Sequence, residues 1–131
     1  SSGTWQPVML PMMFPTLSIT GGWFDGMDTM WMSIDNTSAA GVVTFNRAGV
    51  WSVSLENKTG AYYCSSVWGR SARDIWAACR SGAQLSHFNG ATWSPIATPL
   101  TQGMIRSLWG SGESLWAAGD AGALFHQAAP K

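Results

Sequence analysis

The chain has 131 residues, and its seven basic and seven acidic side chains cancel. That balance offers no electrostatic footprint for nucleic acid and none for an anionic membrane surface. Charged residues make up 11% of the chain, against about 25% in typical soluble domains, so a solitary chain of this size exposes much apolar surface and a buried interface is expected. The apolar run from Val8 to Leu17 is too short to span a bilayer as a helix and is broken by Pro11 and Pro15.

In chain order, the first element is an outer strand over Thr4 to Val8, carrying Trp5, Pro7 and Val8. An inner strand ending at Trp23 and a second strand around Trp31 follow, and Trp51 marks the next outer strand. The middle copy repeats this: an inner strand to Trp68, a second strand at Trp76, a third over Ala83 to Phe88, then Thr92 to Ile96. Asn89-Gly90 joins the last two, because Asn-Gly adopts positive φ cheaply and suits a hairpin. Pro95 and Pro99 fit an edge strand and its exit, where a missing amide costs nothing. The last copy has an inner strand over 104–109, a second over 115–119, a tight turn at Asp120-Ala121-Gly122, and a third strand over Ala123 to Gln127. No segment has a helical period.

The nine tryptophans fall into three phases: Trp5, Trp51 and Trp93; Trp23, Trp68 and Trp109; Trp31, Trp76 and Trp116. Each set repeats at intervals of 40 to 46 residues. Ser66-Val67-Trp68-Gly69 matches Ser107-Leu108-Trp109-Gly110, and Trp5-Gln6-Pro7-Val8 matches Trp93-Ser94-Pro95-Ile96. A period near 42 residues built of short strands is the signature of a β-propeller blade. The expectation is an all-β chain of three four-stranded blades, about 17–59, 60–102 and 103–131, the last completed by residues 3–10. Three blades cannot close a ring, so two copies are expected to form one six-bladed homodimer, with Thr4 to Val8 of one chain pairing with Ala123 to Gln127 of the other. The rival is a piece of a longer, self-closing propeller.

The Val67-Trp68-Gly69 and Asp74-Ile75-Trp76-Ala77-Ala78 runs, with Gly90-Ala91-Thr92-Trp93-Ser94, resemble tandem propeller repeats of predicted bacterial secreted proteins, especially myxobacterial ones. Asn89-Gly90-Ala91-Thr92-Trp93 is also similar to the Asp-box of sialidase-like propellers, with Asn in place of Asp and one residue fewer before the Trp. The resemblance covers residues 3–131 and implies a fold; propellers host hydrolases, lectins and scaffolds alike.

Pairing Trp68 with Ile75 across the Gly69–Asp74 turn sets Cys64 opposite Cys79, within disulfide reach. The alternative is two small buried thiols, since the repeat equivalents are Ile19 and Ile105, and Ile34 and Gly119. The compartment is left open, with secretion the setting that a bridge would favour. His87 and His126 stand isolated in the sequence and no Cys-x-x-Cys exists, so no metal site and no cofactor is expected.

Charge concentrates in the turns between first and second strands: Asp25 and Asp28, then Arg70, Arg73 and Asp74, then Glu113. Such turns gather at one mouth of a propeller, so Arg70, Arg73, Asp74 and Glu113 are the candidate ligand-binding residues. The paired carboxylates Asp25 and Asp28 offer acid–base chemistry in principle, but no Ser/His/Asp or Cys/His set accompanies them. Tryptophans at one phase of every blade read as packing between sheets, with sugar stacking as the competing use. A non-catalytic binding module for carbohydrate or protein is therefore the leading expectation. A hydrolase-like, glycosidase-type propeller, or a fragment of a larger propeller enzyme, is the alternative.

Overall fold

The computed structural model describes residues 3–9, 17–35, 40–57, 63–79 and 85–128. The chain is all-β, with one three-residue 3₁₀ turn at Asp120–Gly122. Strands β1 (Ser18–Phe24), β2 (Thr29–Asp35), β3 (Ala40–Asn46) and β4 (Trp51–Asn57) form one antiparallel sheet in that order. A second sheet orders β5 (Cys64–Ser71), β6 (Asp74–Cys79), β7 (Leu85–Phe88) and β8 (Trp93–Ile96) in the same way. The third has three strands, β9 (Ile105–Ser111), β10 (Ser114–Gly119) and β11 (Leu124–Ala128). Each is a meander, so every strand pairs with its chain neighbour.

The expected outer strand over Thr4 to Val8 belongs to no sheet. Residues 3–9 are extended and exposed, with Trp5 99% accessible. Among the described residues no strand pairs with this segment, and a strand without a partner leaves its amides to solvent.

The middle sheet is covered on both faces, β5 lying against β1 and β2 on one side and against β9 on the other. One core, which includes Trp31, Val42, Cys64, Val67, Ile75 and Ala77, fills the first interface. A second, which includes Trp76, Leu85, Ile105, Leu108, Leu115 and Ala117, fills the next. Both follow from strand alternation: residues two apart share a face, so Ile75 and Ala77 look one way while Trp76 and Ala78 look the other. Met32, Ile34 and Val43 are buried on the opposite face of the first sheet, under Leu17, Phe45 and Trp51.

The joint between sheets is itself repeated. Trp23 lies over Gly69 of the next sheet, where an added Cβ would stand 2.9 Å from the ring. Trp68 lies over Gly110 in the same way, at 2.6 Å. Any larger residue at Gly69 or Gly110 would displace an indole. Each inner hairpin also carries a β-bulge at one phase, at Thr20, Ser65 and Arg106. The extra residue turns its side chain out of the ladder. Thr20 Oγ1 donates to the carbonyl of Cys64 and Ser65 Oγ to that of Ile105, the latter at 2.6 Å. Arg106, with no following sheet in the chain, folds back onto Asp120 through two hydrogen bonds of 2.8 and 3.2 Å.

The bulge corrects the expected register. Trp68 pairs with Trp76 and Gly69 with Ile75, one residue off the expected Trp68–Ile75 pairing. The shift between Cys64 and Ser66 then restores the alignment of Cys64 with Cys79. The two are joined by a disulfide with Cα atoms 4.0 Å apart, and both are almost fully buried.

Candidate functional site

A cluster of charged and aromatic side chains lies at the β5–β6 turn. Arg70 is the last residue but one of β5, Asp74 opens β6, and a two-residue turn at Ala72 and Arg73 brings them together. Asp74 and Trp76 are two residues apart on one strand and therefore share a face. β7 pairs with β6 so that His87 sits directly opposite Trp76. Three side chains consequently converge on one carboxylate. Arg70 Nη1 donates to Asp74 Oδ2 at 2.9 Å, and Trp76 Nε1 to Asp74 Oδ1 at 2.9 Å. His87 Nε2 lies 2.8 Å from the same Oδ1.

The rings reinforce the arrangement. The Trp76 and His87 rings stack with centroids 4.4 Å apart, and the Arg70 guanidinium lies 5.9 Å from the Trp68 centroid. Arg70 Nε and Nη2 are buried and face no acceptor. Burial alone raises the Asp74 carboxyl, but the hydrogen bonds from Arg70, His87 and Trp76 and the Arg70 charge outweigh it and hold the group below the usual carboxylate range. His87 is thus not isolated, contrary to the sequence expectation. The register that brings it to Asp74 runs through a connection whose length alone does not set the pairing.

Repeat comparison shows what Asp74 does. Trp116 stacks on His126 with centroids 4.3 Å apart, as Trp76 does on His87, but Ser114 occupies the Asp74 position. In the first sheet Thr29 stands there, and the buried Nε1 of Trp31 has no partner. Only the middle repeat therefore builds a charged cluster at this phase.

The other expected site residues do not join it. The Arg73 stem crosses the β7–β8 turn, with its Cγ 2.7 Å from where a Cβ on Gly90 would be. That turn is built as expected, since Gly90 has φ +96° and Asn89 Oδ1 accepts from the amides of Ala91 and Thr92. Glu113 is exposed in the β9–β10 turn. No hydrogen bond or ion pair among the described residues links Glu113 to Arg70, Arg73 or Asp74.

Asp25 and Asp28 serve the first turn. Asp25 Oδ1 accepts from the amides of Met27, Asp28 and Thr29 at 2.8 to 3.1 Å. Asp28 Oδ1 accepts from the Arg47 amide at 3.3 Å. The first three bonds close the β1–β2 turn, and the fourth ties it to the β3–β4 turn. Among the described residues no three His, Cys, Asp or Glu side chains converge as metal ligands would.

Acid should weaken this cluster. A carboxyl held low in the folded chain stabilises it fully above the unfolded-state value near pH 4 and loses that contribution as pH falls through the folded value. Asp74→Asn should flatten part of the decline in melting temperature as pH falls below about 4. An unchanged acid limb would show that Asp74 carries none of it; hydrogen bonds to the Asp25 and Asp120 carboxylates hold those groups low as well.

Comparison of the chain with protein-family models, with characterised proteins and with solved structures finds no match.

Proposed function

We propose that this chain is a three-bladed half of a β-propeller, closed into a six-bladed ring by a second copy, and that the ring is a non-catalytic binding module. The observation that carries this reading is the repeated joint between sheets. A tryptophan set over glycine and a hydroxyl bonded to the next sheet's carbonyl occur at both interfaces inside the chain. The third sheet turns the donor half of that joint outward: Trp109 is 44% and Leu124 57% accessible. Apolar faces of this kind mark association surfaces, and a twofold pair of such arcs closes without leaving an open edge.

The seam would not copy the internal joint in full. Phe24, 43% accessible, stands on the first sheet where Gly69 and Gly110 stand on the others. Trp109 of one copy and Phe24 of the other would form an aromatic contact instead, and Arg106 would replace the hydroxyl latch. Light scattering at micromolar concentration should return twice the chain mass, and Trp109→Glu should return the single-chain mass with the far-ultraviolet spectrum retained. A monomeric wild-type chain would sink the ring.

A binding role, for carbohydrate or protein, accords with the Arg70–Asp74 turn. Its carboxylate spends its lone pairs on three donors, and no hydroxyl or thiol among the described residues is hydrogen-bonded to His87. A glycan array, with Arg70→Ala and Arg73→Ala as controls, separates the ligand classes. Binding that survives both substitutions would move the site elsewhere on the ring.

A further inference from the structure

We propose that the cavity between the second and third sheets is a pocket for an indole side chain, and that its occupant is Trp5 of a second copy. The inference rests on the ring proposed above and assigns the contact that would hold its seam. The cavity has a volume of about 330 Å³ and opens beside β11, the unpaired edge of the three-stranded sheet.

The same place between the first and second sheets is filled, and the filler is Trp93. Its ring packs on Phe88 with centroids 5.3 Å apart and joins the core beside Leu55. Its Nε1 donates to Ser54 Oγ of the preceding sheet at 3.0 Å. Strand pairing sets the correspondence between the two places. Trp76 opposes His87 as Trp31 opposes Thr44, so Leu85 matches Val42 and Ile96 matches Leu55. Trp116 opposes His126, so Leu115 and Ala117 match Ile75 and Ala77. Leu85, Ile96, Leu115 and Ala117 all line the cavity. It is therefore the counterpart of the Trp93 socket.

Two further tryptophans share the phase of Trp93, and of these Trp51 is already placed in β4 of the first sheet, which leaves Trp5. Trp5-Gln6-Pro7-Val8 repeats Trp93-Ser94-Pro95-Ile96, and the described segment 3–9 lies outside every sheet with Trp5 99% accessible. It precedes the first sheet, which packs on the opposite face of the middle sheet from the third, so the pairing is assigned between copies. Added to β11 as an antiparallel strand, the segment would satisfy the open edge. Pro7, at the position of Pro95 in the edge strand β8, would stop further strand addition.

The test uses the full-length Trp5→Ala chain as receptor and a fluorescent peptide of sequence Gly3–Met9 as probe. Saturable binding is expected, and the same peptide with alanine for its tryptophan should bind at least about tenfold more weakly, as for a buried aromatic anchor. Ala97→Trp, which places bulk at the exposed rim of the cavity, should abolish binding without unfolding the chain. No binding, or equal binding of the two peptides, overturns the pocket. Chain mass separates the two proposals. A wild-type dimer whose pocket ignores the peptide leaves the ring standing and removes this contact. A wild-type monomer removes the second copy as occupant even if the peptide binds.

Discussion

Replacing Trp76 by alanine should lower the unfolding free energy by about 3–5 kcal/mol, the usual cost of deleting a large buried aromatic. Trp76 is 5% accessible, and its indole closes the core between the second and third sheets. The substitution opens that core and also takes from Asp74 one of its three donors. For a chain of this length the melting temperature should fall by on the order of 10–20 °C, read by circular dichroism. Trp116 is the internal control. It has the same phase and the same histidine stack but looks out from the third sheet. For Trp116→Ala in the separated chain only about 1 kcal/mol is expected, the worth of an aromatic pair. Equal losses at the two positions would contradict the placement of Trp76 between packed sheets.

Breaking the Cys64–Cys79 bridge should cost about 3 kcal/mol in the chain-entropy account, given a sequence separation of 15. Cys64→Ala with Cys79→Ala isolates this effect, because two alanines leave the packing volume only modestly reduced. The denaturant midpoint should fall with its slope little changed, and reductant should lower the wild type to a similar midpoint. Because both cysteines are nearly inaccessible, reductant should act slowly on the folded chain and quickly once denaturant opens the second sheet. An unchanged midpoint for the double variant would show that the bridge adds nothing beyond the pairing of β5 with β6.

Much of the local structure was legible because it rests on local chemistry. Asn89-Gly90 marks its hairpin, since Gly90 adopts positive φ and the Asn89 carboxamide binds the next amides. The Asp120–Gly122 turn falls where expected, with positive φ at Ala121 and Gly122. The packing use of Trp23 and Trp68 was also readable, because a tryptophan recurring at one phase of every repeat reads as a packing element between sheets; that each indole lies on a glycine of the next sheet is seen only in the fold.

Register was less legible. A single bulged residue moved Trp68 opposite Trp76 and still left Cys64 opposite Cys79, and a bulge at Thr20, Ser65 or Arg106 has no mark in composition or periodicity. The candidate site suffered for the same reason. Asp74 and Arg70 are four residues apart and were found together, whereas His87 reaches Asp74 only through the pairing of β7 with β6. Arg73, grouped with them by charge, crosses the β7–β8 turn, and Glu113 is exposed in the β9–β10 turn.

The sequence by itself determined the strand count of the two complete repeats, their turns and the phase of every tryptophan, because these follow from side-chain alternation and backbone preference within a few residues. Only the tertiary structure decided which residues became neighbours across sheets. Trp23 over Gly69, Ser65 on the Ile105 carbonyl and the cavity beside β11 join segments as much as 51 residues apart, and within the second sheet His87 reaches Asp74 through the β6–β7 register. Such registers are set by the summed packing of whole faces, a property no single stretch of sequence carries.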